Sequence, residues 1–303
     1  MSNWQVGFYL FLFCLFSSLV PRQLHPFFTS VGNLLLFPLL SKTREVVEKN
    51  FRVIGRGGYS QKEIRALAKR CFQNYSHKLL DYMSMHRLDL SNRWKLVERE
   101  VGEEHLLRAL ERGKGVICIT PHLGNWELGG YVLASKGYPV NILTLREGSR
   151  SLRRYEEKVR RRFGIHTIYI DPSDEPKLTI LEVARKLREN QIVALIADRM
   201  VGDRWIELEF FGRPTKFPMG PALLAMETGA SVIPVFVILE KRMKYWGILE
   251  KPILFRNSPQ DREESLGRGM RKIVKSFEAM IGRYPDQWYN FFPYWDEGNE
   301  FQR

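Results

Sequence analysis

The chain has 303 residues, 44% hydrophobic and 13% aromatic, enough for one large domain or two small ones with a buried core. Lys and Arg number 47 against 34 Asp and Glu, a formal charge of +13 that favours an anionic partner: nucleic acid, an anionic membrane face, or an acidic carrier or substrate. Cys14, Cys71 and Cys118 lie far apart with no CxxC pair, which argues against a disulfide framework or zinc site and for a reducing compartment.

The first element is Val6 to Val20, 15 residues without a charge. As a helix it spans about 22 Å, short of the ~30 Å hydrocarbon core, and extension back to Trp4 brings it close to a tilted span. No Lys or Arg precedes it and no A-x-A site follows, which disfavours a cleaved signal peptide. Positive charges follow at Arg22, Lys42 and Arg44, placing the bulk of the chain on the cytoplasmic side by the positive-inside rule. Val31 to Leu40 is too short to cross and contains Pro38; it reads as interfacial. Residues 1–54 are therefore expected to be a membrane anchor and interfacial segment, and 55–303 the folded domain, with GRGGYS (Gly55 to Ser60) at the boundary.

Gln61 to Met83 carries apolar residues at 64, 67, 68, 71, 72, 75, 79 and 80, the spacing of a helix with one buried stripe. Short apolar runs then alternate with helical patterns. The expected strands are GVICIT (115–120), VNILTL (140–145), HTIYI (166–170), QIVALIAD (191–198) and SVIPVFVIL (231–239). Helices are expected near 126–136, 149–163, 177–189, 218–228 and 262–282. This alternation implies right-handed crossovers and an α/β fold, a mostly parallel central sheet covered by helices.

GVICIT runs into PHLGNWELGG. His122 sits just past a strand's carboxyl end, where open α/β sheets collect reactive groups. Asn125 suits a helix N-cap, which puts Glu127 in the first helical turn. On a continuous helix, five positions diverge by about 140°, but a strand-to-helix turn with Gly124 can fold back and let the two side chains meet. A carboxylate there would fix the imidazole tautomer and support the imidazolium, freeing the other nitrogen to take a proton from a hydroxyl. The matching chemistry is direct acyl transfer from a thioester to an alcohol, without an acyl-enzyme. Spacing alone leaves a second reading open, in which His122 caps a strand and Glu127 is an ordinary first-turn carboxylate. No HExxH, GxSxG or glycine-rich phosphate loop is present, so zinc protease, elbow hydrolase and nucleotide binding lack support.

PHLGNWE resembles the H-x4-D/E signature of the lysophospholipid acyltransferase superfamily, and its HxGNWE form resembles the lipid A late-acyltransferase branch (lauroyl and myristoyl transferases), shared with mycobacterial phosphatidylinositol mannoside acyltransferases. The resemblance extends over residues 60–296 through LTLREGSRSLRRYEEKVRRRFG, the Asp ending IVALIAD, FFGRPTKFPMGPALLAMETGASVIPVF and the closing YPDQWYNFFPYW. It implies a glycerolipid acyltransferase-like fold, His122 as the base and Glu127 as its partner. It also implies that Arg146 and Asp198 line the site. Both fall just past expected strands on the His122 edge, and together with Asn125 they make the candidate substrate-binding set. A guanidinium at Arg146 would suit a phosphate or the thioester oxygen. Two features depart from the pattern: Arg199 follows Asp198 where many relatives carry Gln or a small polar residue, and the ending is QWYNFFPYW.

The implied activity is membrane-anchored O-acyl transfer from acyl carrier protein or coenzyme A thioester, as co-substrate and without a cofactor or metal, to a lipid A precursor. The implied location is the cytoplasmic side of a bacterial inner membrane. Alternative acceptors are a phosphatidylinositol mannoside, an ornithine lipid or a lysophospholipid. An alternative of another class is a non-catalytic basic membrane adaptor. Arg150 to Arg162 holds seven Arg or Lys against two Glu; it reads either as a solvated helix face or as a dock for an acidic carrier protein or anionic headgroups. No nucleic-acid motif accompanies the charge. The tail Trp288 to Trp295 reads as packing before acyl-chain wall.

Overall fold

The computed structural model describes residues 15–17, 19–85, 96–146, 150–170, 176–240, 243–257 and 260–295. Most of the expected Val6 to Val20 anchor, with Trp4 and Cys14, lies outside them. Nine helices are described: α1 His25–Leu36, α2 Ser41–Ile54, α3 Gln61–Ser84, α4 Glu103–Glu111, α5 Trp126–Ser135, α6 Arg150–Arg162, α7 Pro176–Arg188, α8 Gly220–Thr228 and α9 Arg262–Arg283. The strands are β1 Val97–Val101, β2 Val116–Thr120, β3 Val140–Leu145, β4 His166–Ile170, β5 Ile192–Ile196, β6 Trp205–Phe210, β7 Arg213–Pro218, β8 Ser231–Leu239 and β9 Tyr245–Leu249. Seven form one sheet in the order β1-β9-β8-β2-β5-β3-β4, and β6 with β7 forms a separate hairpin.

Strands β8, β2, β5, β3 and β4 pair in parallel, as the α/β alternation requires, while β9 returns antiparallel to β8 and carries β1 parallel to itself. β2 is central and buried at every position. That burial explains why GVICIT is continuously apolar: Ile117 and Ile119 enter one core, Val116 and Cys118 the other. Helices α2, α3, α7, α8 and α9 cover the first face; α4, α5 and α6 cover the second. The strands that apolar runs do not reveal are β1, β6, β7 and β9. β1 reads VEREV because it is an edge strand with exposed positions, and β6 alternates between exposed and covered residues as half of a two-stranded ribbon.

The segment after the expected anchor is built into this core. α2 contributes Val47, Phe51 and Ile54. Among the described residues no single helix is long and apolar enough to cross a membrane; Arg22–Leu36 and Ser41–Ile54 pass that test only as a pair bent by 107°. Leu34, Leu35, Leu36 and Leu39 remain exposed at 64, 64, 57 and 77%.

A buried ion cluster ties this segment to the sheet. Asp81, at the end of α3, accepts two hydrogen bonds of 2.8 Å from the Arg22 guanidinium and one of 2.8 Å from the Tyr245 hydroxyl of β9. His77 and His25 lie 3.3 and 3.7 Å from the same carboxylate. Burial alone would raise the Asp81 carboxyl, but the His25 and His77 rings beside it and the Arg22 guanidinium hold it well below the ordinary carboxylate value. Asp81→Asn leaves Arg22 facing a neutral group and is expected to cost about 3–5 kcal/mol at neutral pH. Because the folded carboxyl is held low, the difference in melting temperature between wild type and variant should be full above pH ~5 and close as acid protonates Asp81. Calorimetry from pH 7 to pH 3 measures it; a gap that widens in acid refutes the assignment.

Candidate active site

The parallel register of β2 and β5 sets Thr120 beside Ile196, and the Ala197 N–H donates to the Thr120 carbonyl at 2.9 Å. The residues two places beyond these strand ends, His122 and Asp198, therefore come out side by side. The β2 loop is fixed from its other side as well. Asn125 N–H donates to Val237 O of β8 at 2.8 Å and Gly124 N–H to Gln287 O at 2.9 Å. Gly124 has φ +65°, and a Cβ there would lie 2.0 Å from Val237 O, so no other residue fits this turn.

The expected His122–Glu127 pairing does not form. The imidazole Nδ1 instead lies 2.6 Å from Asp198 Oδ1, while the His122 backbone N–H donates to Asp198 Oδ2 at 3.0 Å. Glu127 turns away and accepts a 2.9 Å bond from Arg160 of α6. The reason is local: the first turn of α5 aims Glu127 at a guanidinium that is only 3% exposed and needs a counter-ion, whereas Asp198 is already in register with the imidazole.

Asp198 is fully buried and saturated with donors, adding Trp288 Nε1 at 2.9 Å and Asn290 Nδ2 at 3.4 Å. Burial would raise its carboxyl, but the charge and hydrogen bonds of His122, with Arg199 nearby, hold it far below the usual range. A carboxylate can only accept, so Nδ1 carries the imidazole proton and Nε2 keeps its lone pair. Burial lowers the His122 imidazole below its ordinary 6.5; Asp198 opposes this, and the positive charges of Arg199 and Lys78 reinforce it. The resting state is a neutral, oriented base.

The other candidates separate. Asn125 is buried and caps α5, its Oδ1 accepting the Leu128 N–H at 3.3 Å. Arg146 lies on the expected sheet edge, but on β3, two strands from β2, with its guanidinium 5.2 Å from the Tyr169 ring of β4. The structure does not bring it to His122. Three neighbours escape sequence reading. Trp288 holds Asp198. Arg160 is the buried member of a run expected to be solvated or docking. Lys78 places its Nζ 3.1 Å from the centroid of Trp126, whose ring also stacks edgewise on His122 at 5.3 Å. A signal for Lys78 exists: Cys71, Tyr75, Lys78 and Tyr82 follow helical spacing, so the lysine occupies a buried stripe.

Trp126 and Glu127 also line a mostly apolar cavity between α5 and the sheet, walled by Cys118, Leu133, Ile142, Ala194, Val237 and Leu249. No cluster of three or more metal-ligating side chains occurs among the described residues. The arrangement can take a proton from a group at Nε2 beside a greasy slot.

The family model described as bacterial lipid A biosynthesis acyltransferase matches residues 1–297. A phosphatidylinositol mannoside acyltransferase of Mycolicibacterium smegmatis is 30% identical over 192 residues, 63% of this chain and 60% of that protein. One of Mycobacterium tuberculosis is 30% identical over 213 residues, 69% of this chain and 65% of that protein. The chain thus spans less than two thirds of either relative.

With Asp198 holding Nδ1–H, NMR titration should find the His122 imidazole below 6.5, and Asp198→Asn should lower it further by removing the anion that favours imidazolium. A rise in the variant would contradict the pairing.

Proposed function

The chain belongs to the bacterial lipid A biosynthesis acyltransferase family, and from that membership we propose that it transfers a fatty acyl chain from a thioester to a hydroxyl of a membrane glycolipid. The observation that carries this is the Asp198–His122 pair, which leaves Nε2 as a free base next to a ring that lines an apolar cavity. An acyl chain lies in the cavity, with its thioester carbonyl at the Trp126 end. The acceptor hydroxyl bonds Nε2; its oxygen attacks the carbonyl carbon while the proton passes to the imidazole. The carbonyl π pair moves onto oxygen. When it returns, the C–S bond breaks and the departing sulfur takes the proton from Nε2, releasing ester and thiol. Asp198 stays ionised throughout and supports the transient imidazolium. Base catalysis of this kind is worth ~10²–10⁴-fold. Every step uses side chains already present; the donor is an acyl carrier protein or coenzyme A thioester.

Membership of the lipid A biosynthesis family supports a lipid A precursor as acceptor; similarity to two phosphatidylinositol mannoside acyltransferases supports phosphatidylinositol mannoside. Both are anionic glycolipids with free hydroxyls. Attachment to an inner membrane, on its cytoplasmic side, is supported by the exposed leucines of α1 and the chain's +13 charge. On α6, Arg150, Arg154, Lys158 and Arg161 are exposed at a spacing of 4, 4 and 3, one stripe that suits anionic headgroups or an acidic carrier.

Incubation of the purified protein with labelled acyl thioester and a total lipid extract, followed by mass spectrometry, identifies the product. Acyl transfer to a glycolipid hydroxyl is expected. His122→Ala should lose about 10³-fold or more in turnover while remaining folded. Near-wild-type turnover in that variant rules out the base mechanism.

A further inference from the structure

We propose that Lys78 is a further catalytic residue, its buried ammonium receiving the oxyanion that forms on the thioester carbonyl oxygen. The inference rests on the acyl-transfer reading above.

Lys78 lies in the last two turns of α3 and is 7% exposed, yet no carboxylate stands within salt-bridge distance of it among the described residues. What holds its Nζ is an aromatic box: Trp126 at 3.1 Å, Tyr75 at 5.7 Å and Tyr289 at 5.9 Å. Ring faces offset part of the desolvation cost, but they do not neutralise the charge. A buried cation kept without a counter-ion is costly unless a negative charge appears beside it when it is needed. In this reaction one does. The carbonyl π pair becomes a localised oxyanion for the lifetime of the tetrahedral species. Among the described residues Trp126 borders the imidazole, the apolar cavity and the ammonium together. A carbonyl delivered from the cavity to Nε2 therefore arrives at the ring on which Lys78 is seated. Arg199, the other cation nearby, is held by Asn290 Oδ1 at 2.8 Å and Tyr289 O at 3.0 Å. A resting phosphate would be a poor match, because it carries up to two negative charges and this box offers one cation.

The surroundings give the test its handle. Burial lowers the Lys78 ammonium to about 7, against the pull of Glu127 on α5 and Glu156 on α6 and with the push of Arg199 beyond β5. His122, also lowered, must be deprotonated while Lys78 must be protonated, so kcat/KM should rise through the first and fall above about 7. Glu156 is itself raised to about 7 and faces the same group, so it needs its own control.

The full-length protein in mixed micelles, with acyl thioester and the glycolipid acceptor, is compared with Lys78→Met, Lys78→Arg, Glu156→Gln and His122→Ala from pH 5.5 to 9. Lys78→Met keeps the chain's bulk and should lose about 10²-fold in kcat, with KM for both substrates within twofold. Lys78→Arg carries a charge that does not titrate and should lose the descending limb, while Glu156→Gln should keep it. A KM increase at unchanged kcat in Lys78→Met would make Lys78 a ground-state anion site and overturn the proposal; so would a descending limb that survives in Lys78→Arg. If thermal melting shows Lys78→Met to be misfolded, the Lys78→Arg profile decides alone. Transfer by wild type but not by His122→Ala upholds the parent reading whatever Lys78 does; no transfer by wild type overturns both.

Discussion

A buried carboxylate organises this molecule. Asp198 has room for about four hydrogen bonds, and the donors within reach come from separate stretches of chain: the His122 ring and backbone, the Trp288 indole and the Asn290 amide. A fully buried anion is stable only if it is supplied in this way. Satisfying it draws the β2 loop, the end of β5 and the C-terminal segment to one point. The imidazole is held because the carboxylate needs its donor, and Nε2 is left over as an acceptor because the neutral ring has only one N–H to give.

Two features of this chain, Arg199 and the residues 289–292, then become one. Arg199, next in chain to Asp198, bonds the Asn290 side chain and the Tyr289 carbonyl, and lies 4.9 Å from the Phe292 ring. These are residues of the YNFF stretch at 289–292. Tyr289 N–H returns to His122 O at 2.8 Å, and Asn50 of α2 donates to Asn290 O at 3.1 Å. Arginine at 199 and Asn-Phe-Phe at 290–292 are thus two halves of one clamp. The tail that reads as packing in the sequence is packing, but what it packs is the base's carboxylate.

How much of this was legible follows from the physics of each part. Interior strands announce themselves because burial makes them mostly apolar, and β2, β3, β5 and β8 are found where those runs stand; β4, at the sheet's edge, keeps enough of the pattern in HTIYI to be found too. Edge strands such as VEREV lack that signal, since water covers one side. His122 and the Asn125 cap are visible as a strand end and a helix start. The partner of His122 is harder. Proximity in sequence favours Glu127, five residues away, whereas the true neighbour is 76 residues on and is brought in by register between adjacent parallel strands. Both residues stand just past an apolar run, so the clue is present, but strand order must be known before it can be used. Arg146 shows the converse: it shares the edge, yet β3 lies beyond β5 and its side chain packs toward β4.

Why the two carboxylates are distributed as they are can be argued from the cations. Arg160 is 3% exposed, and Glu127 is its salt-bridge partner. Were Glu127 to swing to the imidazole, a buried guanidinium would be stranded and Asp198 would lose its closest partner. A stranded guanidinium and a carboxylate short of one donor would replace the present pairs, the first at a cost of about 3–5 kcal/mol. The imidazole, by contrast, can stay neutral and needs only an acceptor for Nδ1–H. The permanent charge therefore takes the carboxylate that can reach it, and the titratable ring takes the one set by the sheet. Lys78 is the cation this allotment leaves over, lodged on a ring instead of an acid, which is where a reaction that makes its own anion can use it.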